Sequence, residues 1–189
     1  LAAPFTDTQL SALRPFVLEH INISRAEQGL TPLNYSENIQ KVAQGHADDS
    51  VAVFDPTSIA TREASYLAHV SSDGRALDAR FRDAGVDTGW EYAENVGYWI
   101  REPYGEIVEA SRFGLTLIHQ GMMAEVPPND AHKKNILGHY THIGVGLALL
   151  NEQEVPLNAV FVVTNFSRYQ SEQEERTYRT HVQGRATTA

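Results

Sequence analysis

The stretch NDAHKKNILGHYTHIGVG, residues 129 to 146, decides how the chain folds. Asp130 is a cap residue for a short helix running through Leu137, and Gly138 should end that helix. The run HIGVGLALL that follows is β-rich, as is AVFVVTNFS further on, and the turn-prone NEQEVPLN joins them into a terminal hairpin. His139 and His142 then fall at the start of a strand. Residues three apart on a strand point to opposite faces, so this tempting pair does not converge on one ion.

Working outward, WEYAENVGYWI has the aromatic and β-branched content of another strand. Four further helices frame it. Leu10, Leu13, Val17 and Ile21 give the first its helical period, with Thr6 and Asp7 as caps and Gly29 as the stop. Pro15 should kink or split it. The second runs from about Ser36 through ENIQKVAQGHADDSVAVF, the third is RALDARFRDAG, stopping at Gly85, and the fourth spans roughly Tyr104 to Ala124. DPTSIATREASYLAHVSSDG reads as a long loop between the second and third. This order predicts one α+β domain, with helices packed on a mostly antiparallel sheet. Residues 1–15 form a helical lead-in, 16–167 the domain and 168–189 a polar tail without hydrophobic period, which a contact must order.

At 189 residues the chain can bury a sizeable core in one domain. Its formal charge of −9, with no Lys/Arg cluster, argues against nucleic acid as a partner. No apolar run is long enough to span a membrane as a helix. Cysteine is absent, so any zinc must be held by His, Asp or Glu. The opening LAAP fits a processed or trimmed N-terminus.

Among the histidines, His46 lies on the apolar face of the second helix and reads as a core residue bonded to backbone. His20 and His119 have no better claim. His69 sits at the end of the long loop, just before SSDG, where functional residues concentrate. Glu94 is unusual in lying inside an aromatic strand, so it is either buried and paired or facing a cleft. Glu125 follows GMMA at a helix end, and VPPND turns the chain from it towards His132.

Taken together, four segments in order resemble the CAP superfamily (cysteine-rich secretory proteins, antigen 5 and pathogenesis-related proteins) in its bacterial SCP form. HINISRAEQGL with the later AQGHADD is similar to the family's N-x-x-R-x-x-x-G-L opening and A-x-x-H-A helix. AHVSSDGRALDARFRDAGV resembles its H-x-x-x-D-G and R-x-x-x-A-G segment, AENV its G-E-N with Ala93 for glycine, and AHKKNILGHYTHIGVG its G-H-R-x-N-I-L and T-x-I-G-V-G. The resemblance implies a three-layer α-β-α sandwich and secretion. It also implies a cleft of two histidines, His69 and His132, and two acids, Glu94 and Glu125, with a divalent metal such as zinc on the histidines. His139 and His142 are then extra, at the surface or behind the site.

Physically such a set is coherent: two neutral imidazoles can ligate a borderline-soft divalent ion while carboxylates orient them or hold its water. The reading favoured is a secreted module that binds a metal and an unidentified small ligand, whether lipid, glycan or peptide. The alternative is a hydrolase of peptide or glycan, with Glu94 or Glu125 as the catalytic acid or base. Neither H-E-x-x-H nor G-x-S-x-G occurs in the chain.

Overall fold

The structure is a computed structural model, and it describes residues 5–54, 68–86, 91–101, 106–152 and 157–168. Most of the long loop, the tip of the terminal hairpin and the polar tail from residue 169 lie outside the described residues.

Alternation in the run 142–150 builds the three layers. Ile143, Val145, Leu147 and Leu149 face one side of the strand; Gly144, Gly146, Ala148 and Leu150 face the other. Strand β3 (His142–Glu152) pairs antiparallel with β4 (Leu157–Ser167), which pairs antiparallel with β2 (Tyr92–Arg101). A two-residue strand, β1 (Asn34–Tyr35), adds parallel to β3, so the sheet order is β1-β3-β4-β2. The sheet is mostly antiparallel, as expected, and β1 makes it mixed. Nothing in a two-residue exposed segment signals a strand; it exists because Ser36 and Asn34 donate to the Ile143 and Thr141 carbonyls.

The larger side chains of β3 meet helices α1 (Asp7–Glu27) and α4 (Ile107–Met123) through Leu13, Val17, Ile21 and Leu115. The glycine side meets α2 (Glu37–Ala52), whose Ala43 and Ala47 are fully buried. Thus α1 and α4 form one outer layer and α2, with α3 (Leu77–Asp83), the other. Thr6 caps α1 with a full capping box to Gln9. The helix runs on through Pro15, so the chain is not split there. Ala93 is paired with Phe166 in regular β2, where no glycine turn is needed.

Beyond β1 the outer edge of β3 is closed by a side chain. The Gln44 amide donates to the Leu147 carbonyl (2.8 Å) and accepts from its N–H (3.1 Å), and Arg14 donates to the Gln44 oxygen at 2.7 Å. One glutamine therefore does there what another strand would do, shielding the edge from intermolecular pairing.

Candidate functional site

The opposite edge of the sheet carries the candidate site. β2 is the outer strand, and Glu94 and Asn95, being consecutive, point into different layers. Each anchors one of two His–Glu pairs.

Glu94 projects into the α2/α3 layer and is almost fully buried, its side chain 2% exposed. Arg80 of α3 forks onto it, Nη1 to Oε2 at 2.8 Å and Nη2 to Oε1 at 3.0 Å. Asn165, its cross-strand neighbour on β4, donates to Oε2 at 2.9 Å. His69 Nδ1 lies 3.0 Å from Oε1, and Arg80 also holds the His69 carbonyl at 2.9 Å. Burial alone would raise the Glu94 pKa. The hydrogen bonds from His69 and Arg80 and the nearby cationic charge outweigh it and pull the carboxyl down to about 2. Conversely, the hydrogen bond to Glu94 raises the His69 pKa against partial burial.

His46 closes the buried side of this group. Its Nε2 donates to the Ala68 carbonyl at 2.8 Å and is 3.7 Å from Glu94, while Nδ1 meets the Ser71 hydroxyl at 3.3 Å. Burial lowers its pKa despite the glutamate. The core reading of His46 is correct, and the residue also orders the loop that delivers His69.

The second pair lies at the start of α5 (Ala131–Ile136). Glu125, just past α4, accepts from the backbone N–H of His132 at 3.0 Å and meets its Nδ1 at 2.5 Å. Asp130, expected to cap α5 through its side chain, instead pairs with Lys134 at 2.8 Å; Glu125 supplies the carboxylate at this helix start. Two asparagines tie this pair to β2. Asn95 donates to the His132 carbonyl (3.1 Å), and Asn135 donates to the Asn95 side chain (2.8 Å) and the Glu94 carbonyl (3.3 Å).

Both carboxylates therefore hold an imidazole by Nδ1, the orienting role an outer carboxylate plays around a metal-ligating histidine. The oxygens of Glu94 are further taken by Arg80 and Asn165, and Oε2 of Glu125 by the backbone N–H groups of His132 and Lys133. Among the described residues no three His, Asp or Glu side chains converge to hold a metal. The donors present do not fit a closed four-ligand structural site. His69 is 58% exposed at its side chain and His132 35%, so both are open to solvent. His139 is exposed and makes no contact with either pair among the described residues; His142 is buried at the start of β3.

Arg80, Asn165, Asn95 and Asn135 were not singled out from sequence. A signal for Arg80 was present, since it heads the R-x-x-x-A-G segment.

No curated protein matches the chain. Similar solved structures include an extracellular protein containing an SCP domain from Bacillus anthracis (21% identity, TM-score 0.48, covering 89% of this chain and 45% of that one). A cysteine-rich secretory protein from Staphylococcus aureus matches at 18% identity and TM-score 0.48, covering 86% of this chain and 38% of that one. The CAP domain of enterococcal PrgA matches at 16% and 0.46, covering 92% and 74%. The chain thus spans less than half the length of the first two. The model of the CAP, or cysteine-rich secretory protein, family matches residues 18–166, most of the chain, and the chain belongs to that family.

Proposed function

We propose that the protein is a secreted metal-dependent binding module, in which His69 and His132 take a divalent ion such as zinc through Nε2. A small ligand, whether lipid, glycan or peptide, would complete the coordination. The observation that carries this reading is the pairing of each imidazole, at Nδ1, with a carboxylate that other donors hold in place. That arrangement fixes the tautomer with its lone pair on Nε2. It also speaks against Glu94 as a general acid or base, since a carboxyl held near 2 is ionised and a weak proton acceptor at neutral pH. Secretion belongs to the same proposal and rests on the family's description.

Calorimetric titration with zinc tests it. Wild type should bind one equivalent at neutral pH. His69→Ala and His132→Ala should each weaken binding at least about tenfold, and Glu125→Gln by about 10- to 100-fold through loss of orientation. His139→Ala should bind as wild type does. Because Glu94 raises the His69 pKa, protons should already compete as pH falls through the neutral range, and affinity should drop in mild acid. No zinc binding by wild type, or equal loss in His139→Ala, would remove the reading.

A further inference from the structure

Away from the cleft, between α1, α4 and the sheet, lies a small cavity of about 30 Å³ that His20, His119 and Met122 help to line. The two imidazoles come from facing helices, with ring centroids 6.0 Å apart and planes at 82°. Each has one nitrogen already fixed. His20 Nδ1 donates to the Phe16 carbonyl at 3.0 Å, and His119 Nε2 is 2.8 Å from the Ser24 hydroxyl. That leaves His20 Nε2 and His119 Nδ1 with no partner among the described residues. Met122 follows His119 by three residues, on the same helical face, and its sulfur is 3.9 Å from the Asn95 amide.

Size and chemistry narrow the occupant. A volume of about 30 Å³ holds a single water-sized body, too little for a lipid or sugar. The other walls, Ile21, Leu115, Ile118 and Val162 among them, are mostly apolar and could not support the hydration shell of a hard divalent ion. Two imidazoles sharing one ion at about 2 Å per nitrogen have centroids about 5–6 Å apart, as these do. Imidazole with thioether is a donor set for soft, monovalent copper. Burial, with His20 beside it, also lowers the His119 pKa to about 4, so that ligand is neutral in ordinary buffers.

We propose that His20, His119 and Met122 form a half-buried site for one soft monovalent cation of the Cu(I) class, separate from the His69–Glu94 and His132–Glu125 pairs. The test is titration of the folded chain with Ag(I) in chloride-free buffer, and with Cu(I) under anaerobic conditions against a chromogenic Cu(I) chelator. One equivalent should bind, shifting the Met122 methyl and the His20 and His119 imidazole resonances. His119→Phe, which keeps the volume, should weaken binding at least about 100-fold and Met122→Leu about tenfold. Met123→Leu should leave it unchanged. Should His119→Phe fail to fold, the resonance shifts of the wild type still decide. The proposal is overturned if Ag(I) moves the His69 and His132 signals and leaves Met122 in place, or if Met122→Leu binds as tightly as wild type.

Discussion

Gly146→Ala should cost about 3 kcal/mol or more of stability, at the upper end of what overpacking a core does. A methyl at Gly146 would fall far inside contact distance of the Ala43 carbonyl, and one at Gly144 would meet the backbone of Ile39 and Gln40. The obstacle is helix backbone, which cannot rotate away as a side chain could. α2 lies against β3 along its length with Ile39, Ala43 and Ala47 fully buried, so relief requires the whole helix to lift. Lifting it would disturb Gln44 on the β3 edge and His46 beneath Glu94. For a chain of this size about 3 kcal/mol corresponds to a fall in Tm of roughly 6–12 °C. Gly45→Ala is the internal control. A Cβ there meets nothing, the residue is exposed within α2, and the change should stabilise by about 0.5–1 kcal/mol. Urea unfolding of the two variants decides: a Gly146→Ala loss under about 1 kcal/mol would mean α2 is not seated as described.

That glycine pair also shows how far the sequence could be read. The β-rich run, the helix periods and the cap residues are local signals, and they placed the five helices and three of the four strands found among the described residues. The small-residue alternation at Gly144, Gly146 and Ala148 is what lets a helix approach the sheet closely, and it is visible in HIGVGLALL. The residues of the two His–Glu pairs were named from the order of motifs and from no local signal, because His69 and Glu94 meet across 25 positions of the chain. The set around Glu94 was harder. Arg75, Arg80 and Arg82 are close in sequence, yet Arg75 and Arg82 pair with aspartates at the surface while Arg80 turns inward. Which arginine is buried depends on how α3 docks, which no spacing rule contains. The cavity histidines were passed over for the same reason: His20 and His119 are unremarkable until α1 and α4 are packed face to face.

Arg80→Met should destabilise the fold by about 3–5 kcal/mol at pH 7, because it leaves a carboxylate buried without its cation. Arg80 and Glu94 have side chains 5% and 2% exposed, so solvent cannot replace the lost partner. Asn165 and His69 remain, and two hydrogen bonds do not offset the burial that by itself pushes the Glu94 pKa up. The pH dependence separates this cause from mere loss of packing. In wild type the Glu94 pKa is depressed from 4.5 to about 2, so its ionisation stabilises the fold above about pH 4.5, and that stability is lost as pH falls towards 2. A shift of that size is worth about 3 kcal/mol. In Arg80→Met the folded pKa rises, the carboxyl takes up its proton more readily, and acid costs the variant less than it costs wild type. The gap between the two proteins should therefore narrow from about 3–5 kcal/mol at pH 7 to about 1 kcal/mol near pH 3. Glu94→Gln added to Arg80→Met should recover part of the loss at pH 7, since it removes the stranded charge. Chemical denaturation of wild type, single and double variants across pH 3–7 measures all of this. A gap that stays constant with pH would show that Arg80 acts through its volume and not through the charge on Glu94. Its second role, holding the His69 carbonyl, would then be the reason the loop and its imidazole stay in place.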